Sequence, residues 1–139
     1  MEWEKEITIA PIDLMITPEL VNGYADVSGD HNPLHLDEEF ARTTPYGQRI
    51  AHGMLLMATV TEMLVRAFGL SWARSGQLDV SFIAPTPLGS GLHAEGRVTG
   101  VNIDRDGRHL ALEAWATIDN EQKVLTAKGS VLLTDNLAL

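Results

Sequence analysis

Residues 53–68, "GMLLMATVTEMLVRAF", are apolar around most of a helical circumference, interrupted only by Thr59, Thr61, Glu62 and Arg66. A run this apolar but shorter than a bilayer span predicts a helix largely buried inside a globular protein. Met54, Met57 and Met63 read as core filler within it. Beyond Gly69 the pattern becomes strand-like, in "QLDVSFIAP" (77–85), "LHAEGRVTGV" (92–101), "HLALEAWATI" (109–118) and "KVLTAKGSVLLT" (123–134). Turn signals at Asp106-Gly107 and Asp119-Asn120 separate the later segments. Alternation is clearest where Leu110, Leu112, Ala114 and Ala116 face away from Ala111, Glu113, Trp115 and Thr117, although Trp115 suggests that the second face is covered too. These features predict an α+β fold in which an antiparallel sheet packs around one buried helix.

Working back from the helix, "EKEITIAPIDLMI" (4–16) predicts an opening strand with a bend. Thr17-Pro18-Glu19 supplies an N-cap, a proline at the first helical position and an early acid, so a helix is expected over Pro18–Val27. Gly29 is placed to end it in the left-handed conformation. The 139 residues suit a single domain spanning 1–139, and neither repeats nor a linker interrupt them. The acidic start is unlike a secretion or organelle signal, so the expectation is a cytoplasmic protein that does not span a membrane. A formal net charge of −9 argues against nucleic acid or an anionic membrane as partner. The absence of cysteine excludes disulfides, thiolate nucleophiles and thiolate metal sites.

Between the two helices lies "SGDHNPLH" (28–35), with an acid, two histidines and an amide around Pro33. Metal ligation by Asp30, His31, His35 or His52 is disfavoured by spacing. A His-x-x-x-His site relies on a helix to align both imidazoles, and Pro33 would interrupt one. Acid/base chemistry suits the segment better, since a loop at a helix end can aim Asp30 and His35 into one cavity. The same residue types also stabilise turns without any chemistry, and the residues by themselves leave both readings open.

"IAHGMLLM" (50–57) places Gly53 at the start of the buried helix, where unpaired N–H groups and the helix dipole favour a carbonyl oxygen. A tight loop-to-helix junction is the structural alternative. Thr61 lies eight residues further along, pointing broadly to the same side, and its hydroxyl needs a partner or bonds its own helix backbone. His52 is read as shaping the glycine turn, and His93 and His109 as ordinary sheet residues.

Taken together, "YADVSGDHNPLHLDEEFA" (24–41) resembles the signature of the (R)-specific enoyl-CoA hydratases of the MaoC-like dehydratase group: an aromatic residue, small residues, Ser-Gly-Asp-x-Asn-Pro-x-His and a following acid. The similarity continues through "RIAHGML" (49–55) and more loosely "LDVSFIAPTPLGSGL" (78–92), departing at Ser90, where the family commonly has aspartate. The resemblance implies a hotdog fold, a curved antiparallel sheet wrapped around a long central helix, in which two protomers join their sheets. Gly53–Phe68 would be that helix. It implies further that Asp30 and His35 form the catalytic dyad, Asn32 supports their loop, Gly53 donates its N–H to a thioester oxygen, and Thr61 stands near the aspartate.

The implied reaction is reversible hydration of trans-2-enoyl-CoA to (R)-3-hydroxyacyl-CoA, without metal or redox cofactor, coenzyme A entering only as part of the substrate. A homodimer or higher oligomer is the implied assembly. Dehydration of a 3-hydroxyacyl group on acyl carrier protein is the nearest alternative. A hotdog thioesterase would not need this octet, and a noncatalytic acyl-CoA-binding subunit would more naturally have lost Asp30 or His35.

Overall fold

The computed structural model describes residues 7–119 and 121–134. Strand β1 (Ile7–Met15) is followed by helices α1 (Pro18–Ser28), α2 (Pro33–Leu36), α3 (Glu38–Arg42), α4 (Gly53–Phe68) and α5 (Leu70–Ser75). Strands β2 (Gln77–Phe82), β3 (Gly91–Asp104), β4 (Gly107–Ile118) and β5 (Gln122–Leu133) complete the chain. They form one antiparallel sheet in the order β1-β3-β4-β5-β2. Irregularities at Ile9/Ile12, Val98/Gly100 and Ala116/Thr117 break the pairing register. Bulges of this kind bend strands and raise their twist, which lets the sheet curve around a helix.

The α4 bounds match those expected from sequence, and Leu56, Val60, Met63 and Leu64 of its inner face are buried at 2% exposure or less. They pack against the inward residues of the sheet, including Leu92, Ala94, Leu112, Ala116 and Leu125. Burying such side chains contributes about 1.5–3 kcal/mol each, so this helix-on-sheet contact is the main source of stability. One flank of α4 departs from expectation: Met54 is 52% and Val65 42% exposed, so Met54 is not core filler. An apolar sequence shows that a helix has much to bury, but not that its own chain buries all of it.

The inward set on β4 is as expected, with Leu110, Leu112, Ala114 and Ala116 all buried. No second layer covers the other face of the described residues at Trp115. Its Nε1–H donates to Glu95 at 2.8 Å, and the side chains of Arg97 and Lys123 stand 5.8 Å from its ring. Long neighbouring side chains shield the indole instead. The Asp106-Gly107 turn is present, whereas Asn120 of the second turn signal lies outside the described residues. No helix among the described residues is long and apolar enough to cross a membrane.

Candidate active site

Helix α1 delivers the first half of the site. The Thr17 hydroxyl accepts from Leu20 N–H at 3.1 Å, and α1 ends at Gly29, whose φ of 80° lies in the left-handed region that glycine adopts without penalty. The reversed chain is then held by short bonds: Asp30 N–H donates to Ser28 Oγ, and Asn32 N–H to Asp30 Oδ1, each at 3.1 Å. Asn32 Oδ1 in turn accepts from Leu34 N–H at 3.0 Å and caps α2. Pro33 occupies the first position of that one-turn helix. As expected, no helix runs through Pro33; it instead starts α2, because its missing N–H would have lacked an intrahelical acceptor there anyway. The break falls before Asn32, so His31 and His35 do not share a helix face. His31 is exposed, with ring contacts of 3.3 Å to Gly29 O and Asp26 Oδ1.

The segment before α4 supplies the other half. It is tied to the chain beyond β2 by Ala51 N–H donating to Thr86 O at 2.8 Å and by a bridge between Ile50 and Pro87. His35 Nδ1–H donates to Ile50 O at 2.8 Å. A carbonyl only accepts, so Nδ1 carries the proton and Nε2 keeps a lone pair for chemistry. Arg49 clamps the same residue from behind, its Nε–H donating to His35 O at 2.7 Å and its Nη2–H to Asn22 Oδ1 at 2.9 Å. His52, 1% exposed, donates from Nε2 to Asp30 O at 3.0 Å, and its ring stacks on His35 with centroids 3.9 Å apart. Burial, the largest influence, holds the His52 imidazole below its ordinary value against the raising effect of the Asp30 carbonyl.

Side-chain atoms of Asp30, His35 and His52 thus come within 4.8 Å of one another. A metal ion would find candidate ligands in this trio, which spacing did not suggest, and in Asp104, Asp106 and His109 at the β3–β4 hairpin. Within the trio, His35 Nδ1 and His52 Nε2 are already committed to backbone carbonyls.

His35 and Gly53 line one cavity of about 290 Å³ with Tyr46, Leu56 and Phe82. Gly53 is the first residue of α4 and precedes its first hydrogen bond, Leu55 N–H to His52 O at 3.1 Å. The Phe82 ring presses so closely that a Cβ on Gly53 would lie 3.0 Å from its nearest carbon. An electron-rich oxygen at this helix start would meet a free N–H and the positive dipole end. Thr61 is half-buried and outside the lining of this cavity, and its hydroxyl makes no hydrogen bond among the described residues. The buried hydroxyl on α4 is that of Thr59, which bonds its own helix at Leu55 O, 2.9 Å away.

Arg49 and Phe82 received no role from the sequence, and His52 only that of shaping the glycine turn. The available signal was the adjacency of Arg49 and His52 to Gly53 within "RIAHGML". His93 and His109 are sheet residues as expected, each facing a carboxylate, Asp13 and Asp104 respectively.

A curved antiparallel sheet around one central helix, with this acid–imidazole pair beside the helix start, defines a hotdog-fold protein. Residues 2–120 match the model of the MaoC like domain, and the chain belongs to that family. It is 36% identical over 90 residues to 3-hydroxyacyl-thioester dehydratase Z of Mycobacterium tuberculosis, covering 62% of this chain and 60% of that protein. Against the (R)-specific enoyl-CoA hydratase of Aeromonas caviae the identity is 38% over 86 residues, covering 61% and 63%. The chain thus spans about three fifths of the length of the curated relatives it matches. The solved (R)-hydratase from A. caviae involved in PHA biosynthesis superposes with a TM-score of 0.79 at 27% identity, covering 91% of this chain and 94% of that one.

Proposed function

We propose that the protein hydrates trans-2-enoyl-CoA to (R)-3-hydroxyacyl-CoA, reversibly. The observation that carries the reading is the approach of the Asp30 carboxylate and the His35 imidazole to within 4.8 Å, with His35 and Gly53 lining one cavity at the start of α4. One Asp30 oxygen is held by Asn32 N–H, which orients the carboxylate. A water between Asp30 and His35 gives its proton to one of them as its oxygen attacks the β-carbon. That same proton is then delivered to the α-carbon with the other member of the pair assisting the transfer, so the carboxylate and Nε2 both end as they began. Negative charge developing on the thioester oxygen is stabilised by the Gly53 N–H and the α4 dipole. Every atom is accounted for by water and substrate, so the scheme uses no metal or redox cofactor.

Relatives named for enoyl-CoA hydration and for 3-hydroxyacyl-thioester dehydration support the same chemistry in its two directions. Dehydration on acyl carrier protein is the nearest alternative, differing in the carrier rather than in the dyad. A homodimer fits the exposed apolar residues: Phe82 at the terminal strand β2, Ile83 just beyond it, and Met54 and Val65 on α4 are 42–56% exposed. Asn32 and Thr61 are read as supporting residues of the site. A cytoplasmic location fits a substrate activated with coenzyme A.

The test is loss of enoyl-thioester absorbance with crotonyl-, hexenoyl- and octenoyl-CoA, followed by chiral analysis of the product. Folded protein that hydrolyses thioesters but hydrates none of the three would overturn the reading.

A further inference from the structure

His52 is almost wholly buried, yet only one of its ring nitrogens is satisfied. Nε2–H donates to Asp30 O at 3.0 Å, while Nδ1 has no hydrogen-bond partner among the described residues. The carbonyl can only accept, so the hydrogen sits on Nε2 and Nδ1 is a bare, buried lone pair. Such an atom lowers stability; an apolar ring of the same shape would leave no bare nitrogen, at the loss of the bond to Asp30 O. An imidazole at this position is therefore poorly explained by folding alone. It touches the dyad twice, through the carbonyl of Asp30 and through the His35 ring, stacked at 3.9 Å and 29°. Tyr24 meets it edge-on with centroids 4.8 Å apart.

We propose that His52 is a positioning residue for the Asp30–His35 dyad, an inference that rests on the hydratase reading above. Its N–H fixes the backbone that presents Asp30, and its ring fixes the plane in which His35 presents Nε2. Because His52 is also the residue before Gly53 at the N-terminus of α4, one side chain references the acid, the imidazole and the N–H of Gly53 to a single rigid helix. Burial favours the neutral ring, which avoids a second positive charge against His35 when His35 holds a proton.

The test uses His52→Phe, which keeps a ring but loses the donor, and His52→Gln, which keeps an N–H donor but loses the ring. Melting, kcat and KM on crotonyl-CoA, and the imidazole NMR resonances of His35 are measured on the full chain. His52→Phe is expected to melt near the wild-type midpoint, the removed bare nitrogen offsetting the lost bond to Asp30 O, with KM within about threefold and kcat lower by roughly 10- to 100-fold, the range for a misplaced catalytic group. His52→Gln should recover part of that loss, and both variants should shift the His35 resonances. Wild-type kcat and unmoved His35 resonances in a folded His52→Phe would overturn the inference. So would a kcat that falls only in proportion to the folded fraction. Should His52→Phe not fold, His52→Gln decides. Supporting results are a lower kcat, an unchanged KM and a shifted His35 resonance; unchanged kcat and resonance overturn the inference. Asp30→Asn serves as the control. If it is inactive while His52→Phe is normal, only the positioning role falls. If wild type hydrates no enoyl thioester, the functional reading falls and this inference with it.

Discussion

Replacing Gly53 with alanine separates the space a substrate needs from the space the fold needs. Gly53 does not have a positive φ, so the alanine backbone is unstrained. The added Cβ would stand 3.0, 3.2 and 3.3 Å from Cε1, Cζ and Cδ1 of Phe82. Comfortable carbon contacts are about 3.5–4.0 Å, so the ring must retreat by roughly 0.5–1 Å. Phe82 is 52% exposed and has solvent to move into. Against that small loss stands the helix preference of alanine over glycine, up to about 1 kcal/mol in a helix interior and less at its first residue. Stability should therefore change by no more than about 1 kcal/mol, or about 4 °C in Tm for a chain of this size. Activity should respond differently, because Gly53 and Phe82 both line the cavity. A reactant displaced by about 1 Å loses on the order of 100-fold in rate, comparable with losing one oxyanion donor. Melting curves paired with kcat/KM on crotonyl-CoA should show a near-normal Tm and a loss of about 100-fold. Wild-type turnover in a folded Gly53→Ala protein would refute the placement of the thioester oxygen. A drop in Tm well beyond 4 °C would show instead that the fold needs this space.

Asp30→Asn and His35→Ala should each lower turnover by roughly 100-fold or more with Tm retained, as positioned acid/base groups contribute about that much. His31→Ala should be mild, since that ring is exposed and points to Gly29 and Asp26; the reverse pattern in the same assay would refute the dyad. Arg49→Ala removes charge-assisted bonds to His35 O and Asn22 Oδ1 and should cost about 1–3 kcal/mol in denaturant titration, with an unchanged midpoint counting against the clamp. The hydrogen bond to Asp13 raises the His93 pKa, so its stabilisation is complete below the unfolded value of about 6.5 and is lost as pH rises through the folded value. His93→Asn should accordingly melt below wild type near pH 6, with the gap closing toward pH 9; a gap independent of pH would refute the pairing. Sedimentation should show at least a dimer, and a fully active monomer at assay concentration would refute the paired assembly.

Local chemistry made much of this legible in the sequence. The α4 bounds follow from an apolar run between Gly53 and Gly69, and the α1 bounds from Thr17, Pro18 and Gly29, all signals within a turn of the residues they govern. The inward set of β4 follows from a period of two. Asp30 and His35 stand close enough in sequence for their loop to be suspected. Contacts made across long separations were not legible. His35 meets Ile50 and His52 meets Asp30 where the loop after α1 packs on the segment before α4, and Phe82 meets Gly53 because the sheet carries β2 back past the start of that helix. The imidazole tautomers follow from those carbonyl partners. Exposure of Met54 and the half-exposed setting of Trp115 were likewise hidden, since hydrophobicity records what a side chain gains from burial and not which surface reaches it. Sequence by itself determined the elements and the kinds of chemical group available. Tertiary structure decided which groups face each other, because those distances depend on how the whole sheet curves around one helix.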